Sequence, residues 1–475
     1  MTLAEIADID IESLNSAGDG VGRYGRRPVT VPLTIPGERV RVEFGPPRDN
    51  VVPARVLAVI RRSPHRVDPA CAHFGVCGGC AWQHIAYPEQ LRLKTEMVTR
   101  LVRALAPRAP AAQPMLPTTP LDAPWQYRHK AHFVFGTEAR ADRRDGTLVM
   151  GHYARGSRRV VPVHECPVHA ERGNTVAFGL FDTYARMGSH SRTESTLKSI
   201  AVRASCSTGE TMATLVVSSE TDKRLRAATR RVLEEPWAPT SFHVNIHPRG
   251  DAFIFGRETR RIAGPERLRE DVSGVSFLIS PTAFFQTNVK AAEILVRLVI
   301  DAVPAGATVL DLYAGAGLFA LPLAQRGHQV VAVEENRAAV ADGEASLRLS
   351  RIPRERCRFI AKPVETVVRQ PPRSAIYRLP AIDVVVLDPP REGCAASVLE
   401  SVFGVHRPAG AVYVSCNPES LARDVARITP HGYAVRSMQP VDMFPHTPHV
   451  ETVVVLDRAN EDRRSSSGRT PFRRA

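Results

Sequence analysis

The stretch Thr308-Val309-Leu310-Asp311-Leu312-Tyr313-Ala314-Gly315-Ala316-Gly317-Leu318-Phe319-Ala320 limits what this chain can fold into more than any other. A short apolar run passes straight into a glycine turn and then a helical segment, the pattern of a buried strand feeding a helix. The glycines, Gly315 among them, let the backbone approach a nucleotide-type cofactor, and the helix N-terminus offers free N–H groups. Gly315-x-Gly317-x-x-Ala320 taken alone fits a dinucleotide site equally well. Three more apolar strands follow, and each ends in a chemically useful side chain. Gln329 to Val333 ends in Glu334, placed to accept hydrogen bonds from a ribose or to cap the next helix. Ile382 to Leu387 runs into Asp388-Pro389-Pro390-Arg391-Glu392-Gly393, where two prolines stiffen the loop. Ala411 to Val414 stops at Ser415-Cys416-Asn417-Pro418, which sets Cys416 at a strand's carboxyl edge, where open α/β sheets bind ligands. Cys416 is a candidate nucleophile, and a buried bystander thiol is the competing reading.

Strands and helices alternate from about 271 to 458, which predicts a doubly wound, Rossmann-like α/β domain. Ahead of it, residues 1–62 alternate short apolar runs with Gly and Pro. They predict a small closed barrel of the kind that binds oligonucleotides, with Gly18 to Arg23 as a loop and Arg23, Arg26 and Arg27 available for phosphates. Residues 63–270 form the expected β-rich central domain, broken by a Pro/Ala-rich linker from Ala106 to Pro124. Residues 459–475 are an Arg/Ser-rich tail expected to be disordered. In the central domain, Trp125 to Phe135 alternates aromatic, basic and apolar residues. Such a strand can stack bases and meet phosphates, or can be a core strand with a charged outer face.

Cys71, Cys77 and Cys80 are spaced C-x5-C-x2-C, with Gly78-Gly79 removing the steric obstacle to folding the backbone round one centre. Cys166, followed by Pro167, is the candidate fourth ligand, with His73, His84, His164 and His169 as substitute ligands that compete with a reading of each as an ordinary polar residue. Soft thiolates suit either a zinc ion or an iron-sulfur cluster, and spacing does not decide between them. Eight cysteines in 475 residues are too few for a disulfide scaffold, and this crowding suits metal ligation in a reducing compartment. A net charge of +14 points to a polyanionic partner, with nucleic acid foremost. No run approaches the ~20 apolar residues of a membrane span, so a soluble, cytoplasmic protein without a membrane role is expected. No obligate protein partner is inferred.

Taken together, DLYAGAGLFALPLA, VAVEEN, DPPREG, VSCNPESLARD and MFPHTPHVETVVVL resemble the motif set of the bacterial RNA 5-methyluridine methyltransferases, which use S-adenosylmethionine. The resemblance covers nearly the whole chain apart from the last fifteen or so residues. It implies that the N-terminal barrel is a TRAM domain and that Cys71, Cys77, Cys80 and Cys166 hold a [4Fe-4S] cluster. It makes Gln286, Tyr313, Glu334 and Asp388 contacts of S-adenosyl-L-methionine, Cys416 the nucleophile and Glu451 the base. Leu318 stands where related enzymes can have asparagine, and Ala345 to Ile360 lacks the Asn-containing helix pattern common in the family. The implied function is methylation of uracil C5 in RNA, with 23S ribosomal RNA preferred over transfer RNA because barrel and cluster resemble the ribosomal branch. Three readings compete. A nicotinamide oxidoreductase shares the glycine loop but does not call for Cys416, Asp388 and Glu451 at separate strand ends. A non-catalytic zinc or iron-sulfur RNA-binding protein leaves those residues without a purpose. A DNA cytosine methyltransferase has its nucleophile in a Pro-Cys pair, unlike Ser415-Cys416-Asn417-Pro418.

Overall fold

A computed structural model describes residues 5–47, 49–105, 115–140, 143–186, 196–219, 223–248, 254–371 and 381–459. Residues 106–114 of the expected Pro/Ala linker and the expected tail from residue 460 onward lie outside these. The chain divides into two compact units, Met1–Met97 with Thr119–Glu293 and Asp442–His449, and Val98–Thr118 with Ile294–Val441 and Val450–Ala475.

The first unit opens with a closed five-stranded barrel of β1 (Ile6–Leu14), β2 (Gly20–Tyr24), β3 (Arg27–Val31), β4 (Arg39–Phe44) and β5 (Val52–Arg61), in the order β1-β2-β3-β5-β4. Period-two alternation buries Ile9, Ile11, Val29, Val31, Val40 and Val42 inside it. The expected loop over Gly18–Arg23 is corrected here, since Gly20 to Arg23 belong to β2, with Gly22 opposite Ile11. Glycine is required there by close approach: a Cβ on Gly22 would stand 2.5 Å from the Asp10 carbonyl oxygen. Arg23, Arg26 and Arg27 remain exposed on the rim.

Helix α1 (Tyr87–Leu105) follows. Next comes a seven-stranded sheet of β6 (Lys130–Arg140), β7 (Arg143–Tyr153), β8 (Val160–Pro162), β9 (Leu197–Ala204), β10 (Thr211–Val217), β11 (Ser241–Ile246) and β12 (Glu258–Ala263), ordered β12-β11-β10-β9-β6-β7-β8. Phe133, Ile200, Val202, Leu215 and Phe242 of this sheet share one core with Leu180 of α2 (Glu171–Arg186) and Leu225 of α3 (Lys223–Val232). A hairpin of β13 (Leu268–Val272) and β14 (Val275–Ile279) and helix α4 (Val289–Ala302) complete the run to the second sheet.

The second unit contains β15 (Thr308–Leu312), β16 (Gln329–Glu334), β17 (Cys357–Ala361), β18 (Val384–Leu387), β19 (Gly410–Ser415), β20 (Tyr433–Val441) and β21 (Glu451–Arg458), ordered β17-β16-β15-β18-β19-β21-β20. β15 to β19 pair in parallel, while β21 runs antiparallel between β19 and β20. The connecting helices are α5 (Ala320–Gln325), α6 (Arg337–Leu349), α7 (Val364–Val368), α8 (Ala396–Leu399), continued by a π-helical turn Glu400–His406, and α9 (Pro418–Ile428). Near-continuous Val and Leu runs in the parallel strands reflect burial on both faces. The order turns outward from β15 in both directions, a topological switch point that opens a crevice at the strands' carboxyl ends.

Candidate functional site

Five strands of the second sheet deliver side chains to that edge. Tyr313 follows β15, Glu334 ends β16, Asp388 follows β18 and Cys416 follows β19. Because β21 is antiparallel, its first residue, Glu451, arrives at the same edge, and the register of Ser415 opposite Thr452 brings it beside Cys416. Leu387 lies opposite Tyr413, so Asp388 occupies the neighbouring strand end.

The glycine turn is built by backbone conformation. Tyr313 and Gly315 both have left-handed backbones, φ 63 and φ 54. Gly315 N–H donates to Glu334 Oε2 at 2.9 Å and Asn336 N–H to Glu334 Oε1 at 2.7 Å. The carboxylate thus bridges the turn and the end of β16, and each oxygen keeps a second lone pair for another donor. The helix cap is Asn336, whose side chain accepts from Ala338 and Ala339 N–H, and not Glu334.

The loop from Asp388 to Cys394 is tied down from below. Asp424 of α9 is fully buried, and its Oδ2 accepts from Tyr413 Oη and from Cys394 N–H, both at 2.7 Å. The Tyr313 hydroxyl meets the Cys394 thiol. Asn417 caps α9 by accepting from Glu419 N–H at 3.0 Å, while its Nδ2 donates to the Arg391 carbonyl at 2.9 Å, joining the Cys416 turn to the prolyl loop.

The electrostatics are those of acids crowded out of water. Burial, then Asp388, push Glu451 up to about 8, with Arg391 opposing. Burial raises Asp388 to about 7. The Cys416 thiol rises to about 11 through burial, then Glu451 and Asp388, against Arg391. Burial and two acids thus outweigh one arginine and the Cys416 backbone N–H, and the thiol stays neutral in the resting protein.

Two participants escaped the sequence reading. Arg391 was quoted without a role, yet it is the cation that acts on both Cys416 and Glu451. Asp311 is fully buried within β15, and its carboxyl is held well above the usual range by burial and Asp388, with Ala320 N–H opposing and Glu334 adding to the rise. An acid inside the apolar run Thr308–Leu312 was the available signal. Leu318 is buried. Gln286 belongs to the first unit, half-buried in the turn before α4.

The first unit holds a second site. Cys71, Cys77, Cys80 and Cys166 line one cavity of ≈ 490 Å³ together with His132, His152 and His169. Gly78 N–H donates to the Tyr153 carbonyl at 2.9 Å and Arg155 N–H to that of Val76 at 3.2 Å, which zips the cysteine loop onto the end of β7. A Cβ on Gly78 would lie 3.0 Å from the Tyr153 oxygen. Burial raises the Cys80 thiol to about 11 and the Cys166 thiol to about 12, and neighbouring thiols add to both.

An open, largely parallel α/β sheet with acids and one thiol converging at its carboxyl edge has the architecture of a cofactor-binding α/β domain. The family profile described as tRNA (Uracil-5-)-methyltransferase matches residues 205–459. An RNA methyltransferase of Gloeobacter violaceus is 34% identical over 465 residues, spanning 95% of this chain and 96% of the relative. One of Thermosynechococcus vestitus is 35% identical over 458 residues, spanning 94% and 97%. The crystal structure of Pyrococcus abyssi tRNA (uracil-54, C5)-methyltransferase in complex with S-adenosyl-L-homocysteine matches with a TM-score of 0.73 at 26% identity, covering 94% of this chain and 99% of that one. The chain belongs to the tRNA (uracil-5-)-methyltransferase family, and it is an RNA methyltransferase.

Proposed function

We propose that the chain methylates C5 of a uridine in structured RNA, using S-adenosyl-L-methionine, through a covalent bond between Cys416 and C6. The observation that carries this reading is the side-by-side placement of Cys416 and Glu451 on antiparallel neighbours, with Asp388 at the next strand end. C5 of uracil is a poor nucleophile. Attack by Cys416 Sγ on C6, its thiol proton passing to solvent, forms the S–C6 bond and shifts the ring's electron pair into an enolate, which makes C5 nucleophilic. S-Adenosyl-L-methionine supplies an electrophilic methyl group, and its homocysteine product is what the Pyrococcus abyssi structure holds. Tyr313, Gly315, Glu334 and Asp388 line its side of the crevice, and Gln286 is a further proposed contact. Glu451 then takes the C5 proton, the C5=C6 bond re-forms, and Cys416 leaves as thiolate. Arg391, whose carbonyl is held by Asn417, offsets the negative charge that develops on the ring. A paired uracil cannot reach such an edge, so the base must be looped or flipped out.

The thiol cavity fits a [4Fe-4S] cluster, because four soft donors face a space larger than a single ion requires. Cys71, Cys77, Cys80 and Cys166 would hold it, and it would cross-link the 71–80 loop to the loop at Cys166. The barrel is read as a TRAM-type RNA-binding module over residues 1–62, followed by a cluster-bearing domain over 63–270 and a methyltransferase domain over 271–458.

Ribosomal RNA is the proposed substrate, on the strength of barrel and cysteines together. Transfer RNA is the second reading, favoured by the Pyrococcus abyssi neighbour. Mapping 5-methyluridine in both RNA pools from cells with and without the gene separates the two, and unchanged modification in both sinks the proposal. In vitro, Cys416→Ala should abolish methylation and trapping on 5-fluorouridine RNA. Glu451→Gln should instead accumulate a Cys416–RNA adduct, and absence of that adduct rules Glu451 out as the base.

A further inference from the structure

Part of the thiol cavity has no task in holding a cluster. His152 is the penultimate residue of β7, the strand that grips the cysteine loop, and His169 follows Cys166 by three residues. One ligating atom each from His152, Cys166 and His169 lies within 4.8 Å of the other two. His169 is 2% exposed, and its Nδ1 has no hydrogen-bond partner. The His152 ring bonds the His132 backbone carbonyl, an arrangement that fixes a ligating imidazole's tautomer and leaves its other nitrogen for a metal.

The scaffold round these atoms is rigid. Gln126 N–H donates to Pro167 O at 3.0 Å, Arg128 N–H to Val168 O at 2.9 Å, and Ala170 N–H to Arg128 O at 3.0 Å, which locks the Cys166–His169 loop to the chain before β6. Phe133 stacks on His152 with ring centroids 4.8 Å apart and meets His169 edge-on at 5.1 Å. Two imidazoles and one thiolate within this span are a donor set for a single borderline divalent ion, and an iron-sulfur cluster held by four cysteines does not call on them.

We propose that His152, Cys166 and His169 form a mononuclear metal site that takes zinc, or a divalent ion of like preference, when the cluster is absent. The two occupancies exclude each other because both need Cys166. The fourth position is open to water or to a neighbouring thiol, and binding exchanges the Cys166 thiol proton for the metal without any change of oxidation state. An ion there keeps the Cys166 loop attached to β7 after cluster loss. The inference builds on the assignment of the four cysteines but does not need iron to be present.

The test uses the full chain, purified without oxygen, stripped of metal by a chelator under reducing conditions and titrated with Co²⁺ as a spectroscopic probe for zinc. The expected result is one Co²⁺ per chain, with the visible bands of a tetrahedral ion and a thiolate-to-cobalt band in the near ultraviolet. Cys71→Ser/Cys77→Ser should lose the ability to build a cluster from iron and sulfide yet keep the cobalt spectrum. His152→Gln/His169→Gln should weaken Co²⁺ binding by at least about 100-fold, more than loss of an outer partner, and still build the cluster. The single histidine variants, compared after far-ultraviolet circular dichroism, decide the matter if the double variant does not fold. A cobalt spectrum that survives loss of both histidines, or vanishes with Cys71 and Cys77, places the ion among the cysteines and overturns the proposal. A histidine variant that builds no cluster overturns it too, since the imidazoles then serve the cluster. Failure of the parent chain to build a cluster refutes the iron assignment alone and leaves the cobalt result standing.

Discussion

The strand ends bring together groups whose pKa values are all displaced toward the neutral form. With Cys416 at about 11 and Glu451 at about 8, the resting site holds a neutral thiol and a largely protonated carboxyl near neutral pH. Ionising either of them near neutral pH therefore requires added positive charge or the loss of neighbouring negative charge. Glu451 also has a thermodynamic signature. Its folded pKa of about 8 lies above the 4.5 of the free side chain, so between those values the native state binds the proton more tightly than the unfolded chain. The stability it contributes is complete at low pH and is lost as pH rises through about 8. Glu451→Gln should therefore melt close to the parent near pH 4.5 and progressively above it as pH is raised to about 8, as read by calorimetry. A gap that stays constant with pH would mean that the carboxyl titrates normally. Cys416, Asp388 and Glu334 stand out in the sequence because near-continuous apolar runs end visibly at them. The contacts of Arg391 and Asn417 with each other's segments are not visible there, because they join stretches distant in the chain.

At the scale of elements, regular hydrophobic runs were readable and glycine-rich or polar ones were not. Strand β2 looked like a loop because its glycines answer a need for close approach that the partner strand creates. Strand β20 was overlooked because Arg436, Ser437, Gln439 and Pro440 interrupt its alternation, with a register shift between Val435 and Ser437. The segment Asp442–His449 is held by a buried ion pair, Lys94 Nζ to Asp442 Oδ1 at 2.5 Å, both side chains fully shielded. Lys94 Nζ also donates to the Phe444 carbonyl at 3.0 Å, and Gln90 receives His446 N–H at 2.8 Å. Lys94→Met leaves the Asp442 charge buried without its partner and should cost about 3–5 kcal/mol in urea unfolding. Lys94→Met/Asp442→Leu should recover most of that loss. If the double variant is as unstable as the single one, the pair's role is packing and not charge.

For the whole molecule, the excess of +14 charges predicts RNA binding whose log affinity falls linearly with the logarithm of salt concentration. Each phosphate contact contributes roughly −0.7 to −0.9 to that slope, so replacing the exposed barrel residues Arg23, Arg26 and Arg27 with alanine should reduce its magnitude by about 2. An unchanged slope would remove the barrel rim from the RNA interface. No helix among the described residues is long and apolar enough to cross a membrane. The sequence by itself determined the alternation of strands and helices, the closed barrel, and which residues stand at strand ends, because these follow from local periodicity and turn chemistry. Only the tertiary structure decided that β21 enters antiparallel between β19 and β20 and so sets Glu451 beside Cys416, or that His152 and His169 converge on Cys166. Strand order and register depend on pairing between segments far apart in the chain, and so do the burial and neighbouring charges that displace each pKa.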